Sequence, residues 1–182
     1  SKYLKKNAKI LDAGCGTGGT IQYLKKAGFT NIYGVDVNKD AINYCKKRGI
    51  KNISTGNVNN LAFKKNSFDA VICMDVLYHK KINKRLALNQ FNKVLKKGGI
   101  LYLQEPAFNW LKSKHDTVIE TDSRFTSRKI KKLVQKSGFK ITKLSYFNIL
   151  LSPLIIFKRI LEKIFMRNRE TSDVNRLNHT VN

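Results

Sequence analysis

Short runs rich in β-branched and aromatic residues alternate with amphipathic stretches of helical spacing along most of the chain. The pattern predicts five strands, at Lys9–Ala13, Asn31–Asp36, Ile50–Ser54, Phe68–Met74 and Ile100–Gln104. It predicts helices between and after them at Thr20–Lys26, Asp40–Arg48, Asn83–Lys96 and Thr126–Lys136. Because strands that alternate with helices form a parallel sheet covered on both faces, the sequence predicts a doubly wound α/β fold.

Local signals mark where several of these elements end. Asn38 is a suitable N-cap for the second helix, and Gly49 follows that helix as a C′ residue. Gly98-Gly99 is expected to stop the third helix. The alternating pattern in Phe139–Tyr146 predicts a sixth strand after Gly138.

The length of 182 residues fits one domain. We expect a catalytic core over 1–146, an amphipathic basic helical segment over 147–169 and an unstructured tail over 170–182. The long connection Ala107–Phe125 has few turn signals, and loops of that length are usually functional or disordered.

The composition is strongly basic, with 36 Lys and Arg against 12 Asp and Glu, a net charge of +24. The lysines are spread along the whole chain beside abundant Asn and Ile, a bias that an AT-rich genome would impose. This spread favours a solvated basic surface and argues against nucleic acid as a partner.

The cysteines and the apolar runs indicate the compartment. Cys15, Cys45 and Cys73 have no metal-ligand spacing and read as reduced, buried thiols, so no metal site is expected. We expect no leader, and no apolar run of this sequence reaches the roughly 18 to 20 residues that span a bilayer. The sequence therefore predicts a cytoplasmic protein.

A glycine-rich loop follows the first predicted strand and leads into a helix. Such a loop offers unpaired N–H groups to an anionic group. Gly14, Gly16 and Gly19 also satisfy the dinucleotide pattern G-x-G-x-x-G, and Asp36 lies where a dinucleotide fold carries its ribose-binding acid. Asp12 favours a sulfonium cofactor, because a buried carboxylate there would crowd a pyrophosphate and attract a cation.

Several segments together resemble the class I, Rossmann-like S-adenosylmethionine-dependent methyltransferases. Ile10–Gly18 is similar to the first motif of that family, and Tyr33–Asp36 to its second strand. Ser67–His79 resembles its fourth strand and active-site loop, and Val94–Leu101 resembles the turn into its fifth strand. The resemblance implies S-adenosyl-L-methionine as the cofactor.

The resemblance also implies which residues hold that cofactor. Asp36 would take both ribose hydroxyls. Asn57 stands where the family usually has an Asp that accepts a hydrogen bond from the adenine amino group, and an Asn carbonyl can accept the same bond. The full implied set is Asp12, Gly14, Cys15, Gly16, Thr17, Gly18, Asp36, Val37, Asn57, Val58 and Asp75.

The sequence identifies the residues that would contact the methyl acceptor less clearly. Methyl transfer from a sulfonium is an in-line displacement in which positioning and water exclusion can suffice. His79, after the fourth strand, and the pair His115-Asp116, in the long connection, are the candidate catalytic residues. Their alternative role is to stabilise loops by hydrogen bonds.

The segments Trp110–Asp116, Arg124–Thr126 and Gly138-Phe139 resemble methyltransferases of envelope glycan or lipid pathways. A small-molecule, lipid-linked or glycan-derived acceptor is therefore expected. Such relatives have a preceding helix and a returning antiparallel strand, and we expect this chain to lack both.

Three alternatives remain at this stage. The segment Asn148–Arg169 is apolar and then basic, so it could lie in an anionic membrane interface as a peripheral contact or pack as an ordinary helix. The glycine loop and Asp36 would also serve an NAD-dependent oxidoreductase. A non-catalytic RNA-binding module would use the basic charge.

Overall fold

The structure is a computed structural model that describes residues 3–107 and 124–146. Its strands are β1 (Ile10–Ala13), β2 (Ile32–Asp36), β3 (Ile53–Thr55), β4 (Phe68–Met74) and β5 (Leu95–Gln104). Its helices are α1 (Gly19–Lys26), α2 (Lys39–Lys47), α3 (Lys84–Val94) and α4 (Ser127–Lys136). All of these elements belong to one compact unit that ends at Lys143.

The five strands form a single parallel sheet in the order β3-β2-β1-β4-β5. In the central strand β1, Ile10 is in register with Ile32 of β2 and with Ala70 of β4. The chain moves outward from β1 in one direction through β3 and then in the other from β4 to β5. This reversal confirms the predicted doubly wound fold and places the switch point, where such folds bind their ligands, at the carboxyl ends of β1 and β4.

The sheet separates two apolar clusters of buried side chains. One contains Leu11 and Ala13 of β1 and the α3 residues Leu88 and Phe91, and α4 packs against it. The other contains Ile10 of β1 together with residues of α1 and α2. Alternate residues of β1 thus face opposite sides of the sheet, as the geometry of a strand requires.

The start of α2 agrees with the prediction, but the start of β3 does not. The Asn38 carboxamide accepts hydrogen bonds from the backbone N–H groups of Asp40 (2.9 Å) and Ala41 (3.1 Å). After the helix, the N–H of Ile50 donates to the Cys45 carbonyl at 3.1 Å. Ile50 therefore belongs to the helix C-terminus, and β3 begins at Ile53 instead of at Ile50.

The boundary between α3 and β5 was also predicted wrongly. The helix ends at Val94, and β5 begins at once with Leu95. The N–H of Ser67 donates to the Val94 carbonyl at 2.8 Å, so the chain before β4 satisfies the helix end. Gly98-Gly99 lies inside β5, where the pairing with β4 shifts register, and does not stop the helix.

The predicted sixth strand, Phe139–Tyr146, is wrong, because residues 139–146 form no strand. The N–H of Phe139 donates to the Val134 carbonyl at 3.3 Å and closes the end of α4. The Phe139 side chain packs against the α3-side core cluster. The other apolar positions of this segment are not buried, and Leu144 is 45% exposed.

Among the described residues, no helix is long and apolar enough to cross a membrane.

Candidate functional site

The carboxyl edge of the sheet gathers the candidate residues that the structure describes. Because all five strands are parallel, the segments that follow them meet at one edge. The glycine loop 14–18 follows β1, and Asp36 ends β2. Asn57 follows β3, Asp75 follows β4 and Glu105 follows β5.

The glycine loop is fixed to the sheet by its backbone. The N–H groups of Gly14 and Cys15 both donate to the Val35 carbonyl, at 2.8 and 3.1 Å. Gly14 has φ +86°, and a Cβ on it would lie 2.3 Å from Cγ2 of Val76. The loop therefore passes close to the turn after β4, and glycine at position 14 permits this approach.

Asp36 connects the end of β2 to the glycine loop. One carboxylate oxygen accepts the Gly16 N–H at 2.8 Å, and the other accepts the Asn38 N–H at 2.9 Å. An ionised carboxylate has about four acceptor positions. Asp36 therefore retains acceptor capacity for the hydroxyl groups of a ligand while it holds the loop.

Asp12 is a buried carboxyl group in the middle of the sheet. It is 2% exposed and lies in register between Gly34 of β2 and Ile72 of β4. Burial, and secondly the negative charge of Asp36, raise its pKa to about 7. Its Oδ2 atom has no hydrogen-bond partner among the residues that the structure describes. A buried acceptor of this kind is costly unless a ligand or water satisfies it.

The helix α2 supports the other side of the glycine loop. The Cys45 thiol donates to the Gly16 carbonyl at 3.3 Å, and Nη1 of Arg48 donates to the Thr17 carbonyl at 3.2 Å. The Cys15 thiol is 7% exposed, and burial, reinforced by nearby carboxylates, raises its pKa to about 12. Contact of Cys15 with a ligand would therefore be through its backbone.

Three other candidates differ in exposure. The Val37 side chain is 59% exposed beside Asp36, which is unusual for a valine that follows a buried strand. Asn57 is exposed, and its side-chain oxygen accepts the Asn59 N–H at 2.9 Å. Val58 is 4% exposed in the α3-side core cluster, so its side chain supports the site from inside.

The turn after β4 brings together an acid and two rings. Asp75 has φ +55°, and its N–H donates to the Gln104 carbonyl at 2.9 Å. Burial raises the pKa of its carboxyl group, although Arg124 and His79 act in the opposite direction. The ring of His79 stacks on Tyr78, with centroids 4.2 Å apart and an interplanar angle of 29°.

Glu105 is a component of the site that the sequence did not reveal. One of its carboxylate oxygens accepts the N–H groups of Val76 (3.2 Å) and Leu77 (2.8 Å), and the other accepts that of Tyr78 (3.1 Å). Burial raises its pKa to about 7 against the effect of these hydrogen bonds. Its position at the end of β5, in a chain with few acids, was the available signal.

Some candidates fall outside the described residues. His115 and Asp116 lie in the segment 108–123, so their catalytic role stays a prediction. The basic helical segment 147–169 and the tail 170–182 are likewise predictions from the sequence. The three cysteines Cys15, Cys45 and Cys73 are buried thiols, in agreement with the sequence.

Known proteins resemble this chain both in sequence and in fold. A family model described as "Methyltransferase domain" matches residues 11–103, just over half of the chain. An uncharacterized protein of Methanocaldococcus jannaschii is 32% identical over 168 residues, which cover 87% of this chain and 68% of that protein.

A second relative has a named activity. The ubiquinone/menaquinone biosynthesis C-methyltransferase UbiE of Campylobacter jejuni is 32% identical over 113 residues, which cover 58% of this chain and 47% of that enzyme. The chain therefore spans about half the length of this relative.

A solved structure shares the fold. The S-adenosylmethionine-dependent methyltransferase from Mesorhizobium loti superimposes with a TM-score of 0.67 at 18% identity, covering 86% of this chain and 88% of that one. The family match, the strand order and the glycine loop agree with one another. The chain belongs to the class I S-adenosylmethionine-dependent methyltransferase family.

Proposed function

We propose that this chain binds S-adenosylmethionine at the carboxyl edge of its sheet and transfers the methyl group to a small-molecule, lipid-linked or glycan-derived acceptor. The observation that carries the proposal is the distribution of acids. Although the net charge is +24, Asp12, Asp36, Asp75 and Glu105 all lie at or near this edge. A cluster of carboxylates matches a cofactor that carries a sulfonium and an ammonium group.

The unpaired oxygen of Asp12 supports the proposal that the methionine end of the cofactor binds next to it. Its Oδ2 atom is buried without a partner among the described residues, beside the glycine loop. An ammonium group that donated to it would satisfy both partners, since charged hydrogen bonds are strong. The glycine loop would approach the same part of the cofactor through its backbone.

Asp36, Asn57 and the exposed Val37 support binding of the nucleoside end of the cofactor. Asp36 would accept the ribose hydroxyls with the acceptor positions that Gly16 and Asn38 leave. Val37 would cover one face of the adenine, because its exposed side chain lies beside Asp36. Asn57 would accept the adenine amino group with its second lone pair.

The turn after β4 would face the acceptor. When bound, the cofactor supplies an activated methyl group on a sulfonium. The chain would then orient the acceptor, exclude water and, for a poorly ionised acceptor, remove a proton. His79, which stacks on Tyr78 in this turn, is the candidate base that the structure describes, and His115 with Asp116 is the second candidate.

The acceptor class rests on similarity. The Campylobacter jejuni relative is named as a quinone-pathway C-methyltransferase, and the present chain matches about half of it. We therefore include prenylated hydroquinones in an acceptor screen, with sterols, lipid-linked sugars and glycan fragments. Contact of residues 147–169 with an anionic membrane is a separate prediction, and co-sedimentation with phosphatidylglycerol vesicles tests it.

Calorimetry with S-adenosylhomocysteine and with NAD tests the cofactor. We expect S-adenosylhomocysteine to bind and NAD to bind far more weakly. Asp36→Asn should weaken S-adenosylhomocysteine binding at least about tenfold, because the ribose would lose a charged acceptor. Asp40→Asn is the matched control, since Asp40 is an exposed acid in the first turn of α2. Binding of NAD without binding of S-adenosylhomocysteine would refute the proposal.

A further inference from the structure

The turn after β4 is held by a side chain from the neighbouring strand. Three consecutive N–H groups, of Val76, Leu77 and Tyr78, point at the single carboxylate of Glu105. Backbone N–H groups in a partly buried turn need acceptors. Here one carboxylate supplies all three, so the shape of the turn depends on where β5 places Glu105.

The turn is constrained at both of its ends. At its start, Asp75 adopts a left-handed conformation and is tied to β5 through the Gln104 carbonyl. At its end, Tyr78 is 8% exposed and its ring stacks on His79. Displacement of the Tyr78 backbone would therefore move both rings.

The carboxyl group of Glu105 is mostly buried, which disfavours its charged form. Burial raises the pKa of its carboxyl group to about 7, and the carboxylate of Asp75 acts in the same direction. Arg124 and His79 lower the pKa of Asp75 against the effect of its own burial. A neutral amide could accept fewer of these three hydrogen bonds. The anion therefore stabilises the turn, which offsets the cost of burying its charge.

We propose that Glu105 is a positioning residue for methyl transfer, which fixes the turn 75–79 and thereby the placement of Tyr78 and His79 at the acceptor side of the site. The catalytic meaning of this inference rests on the proposed function. The hydrogen-bond arrangement itself does not.

Two substitutions separate the individual hydrogen bonds. In Glu105→Gln, the remaining oxygen can still accept from Val76 and Leu77, but the amide nitrogen cannot accept the N–H of Tyr78. In Glu105→Ala, all three acceptors are lost. NMR hydrogen exchange should therefore show the Tyr78 amide exchanging at least about tenfold faster in both variants, and the other two amides only in Glu105→Ala.

The ring protons of His79 provide a second signal. Loss of the stack with Tyr78 should shift the His79 resonances in Glu105→Ala and, to a smaller extent, in Glu105→Gln. Asp69→Asn is the matched control. Asp69 also accepts a backbone N–H, from Lys9 at 2.7 Å, but lies at the opposite edge of the sheet. It should leave the His79 resonances and the three amides unchanged.

The functional consequence is measured in the same variants. Glu105→Gln removes one of the four acids at this edge, but no described contact joins Glu105 to the glycine loop, so we expect it to weaken S-adenosylhomocysteine binding by less than about threefold. Methyl transfer to the acceptors found in the screen should fall at least about tenfold in kcat, with a change in the KM for S-adenosylmethionine of less than about threefold.

Two results would overturn the inference. One is a Tyr78 amide that exchanges as slowly in Glu105→Gln and Glu105→Ala as it does in the wild type. The other is wild-type kcat in Glu105→Ala. Failure of the wild type to bind S-adenosylhomocysteine would instead refute the proposed function, and the exchange data would still decide whether Glu105 fixes the turn. If Glu105→Ala does not fold, Glu105→Gln alone decides.

Discussion

Asp12 should make the stability of this chain fall as the pH rises. Its pKa in the folded protein is about 7, against 3.8 for an ordinary Asp. Between these values the folded state holds a proton that the unfolded state has released. The stabilisation is therefore complete below the unfolded pKa, and it is lost as the pH rises through the folded pKa.

The magnitude follows from the same two values. One pKa unit corresponds to about 1.4 kcal/mol, so the interval from pH 5 to about 7 represents a loss of up to about 3 kcal/mol. Asp12→Asn removes this titration and keeps the size of the side chain. We expect Asp12→Asn to be more stable than the wild type at pH 8 and to lose that advantage at pH 5.

Urea unfolding followed by circular dichroism at pH 5, 6, 7 and 8 measures this difference. Glu105, whose pKa is also raised to about 7, adds a slope of its own to both proteins. The comparison of Asp12→Asn with the wild type cancels that contribution. If both proteins show the same pH dependence between pH 5 and 8, burial does not raise the pKa of Asp12 as argued.

Cofactor binding should lower the pKa of the same carboxyl group. An ammonium group near Asp12 would lower its pKa, so binding of S-adenosylhomocysteine near pH 7 should release protons. Calorimetry in buffers of different ionisation enthalpy counts them. The release should be absent in Asp12→Asn, which should also bind more weakly. Proton uptake by the wild type would contradict the assignment.

Three shorter predictions concern the loop, a helix cap and the basic charge. Gly14→Ala should lower the free energy of unfolding in urea by about 2 to 4 kcal/mol, and Gly16→Ala by about 1 kcal/mol. Both glycines have positive φ, but of the two only Gly14 would bring a Cβ into a clash with Val76. Equal losses in the two variants would contradict the clash. Asn83→Ala should lower stability by about 1 kcal/mol, since its side chain caps α3 at the Leu86 N–H; an unchanged thermal midpoint would refute this. Raising NaCl from about 0.05 to 0.5 M should change S-adenosylhomocysteine affinity less than about threefold but weaken any RNA binding at least about 100-fold; the reverse pattern would favour the RNA-binding alternative.

The elements that the sequence predicted correctly have local causes. The cap at Asn38 requires only the nearby N–H groups of Asp40 and Ala41, and Gly49 ends α2 by its own positive φ of 73°. The glycine loop and Asp36 could likewise be placed, because the loop follows β1 directly and Asp36 is the last residue of β2. Signals of this kind lie within a few residues of the feature that they determine.

The features that the sequence missed depend on distant partners. The end of α3 is set by Ser67, which satisfies the Val94 carbonyl from another part of the chain. The hydrogen bonds of Glu105 to the turn after β4 are recognisable only when β5 is known to lie beside β4. Phe139 was assigned to a strand because it is apolar and alternates, yet periodicity does not say whether a partner strand exists.

The charge of the whole chain and the charge of the site have opposite signs, and the topology explains how. In the described part of the chain the lysines are spread over loops, helices and β5, whereas Asp12, Asp36, Asp75 and Glu105 lie at, one residue before or just beyond the ends of four parallel strands. Parallel strands bring residues that are remote in sequence to one edge. Charges more than about 10 Å away are largely screened at 0.1 M salt. The strand-end acids therefore contribute more to the potential that a ligand meets at this edge than the distant lysines do, and the net charge of +24 does not by itself select the ligand.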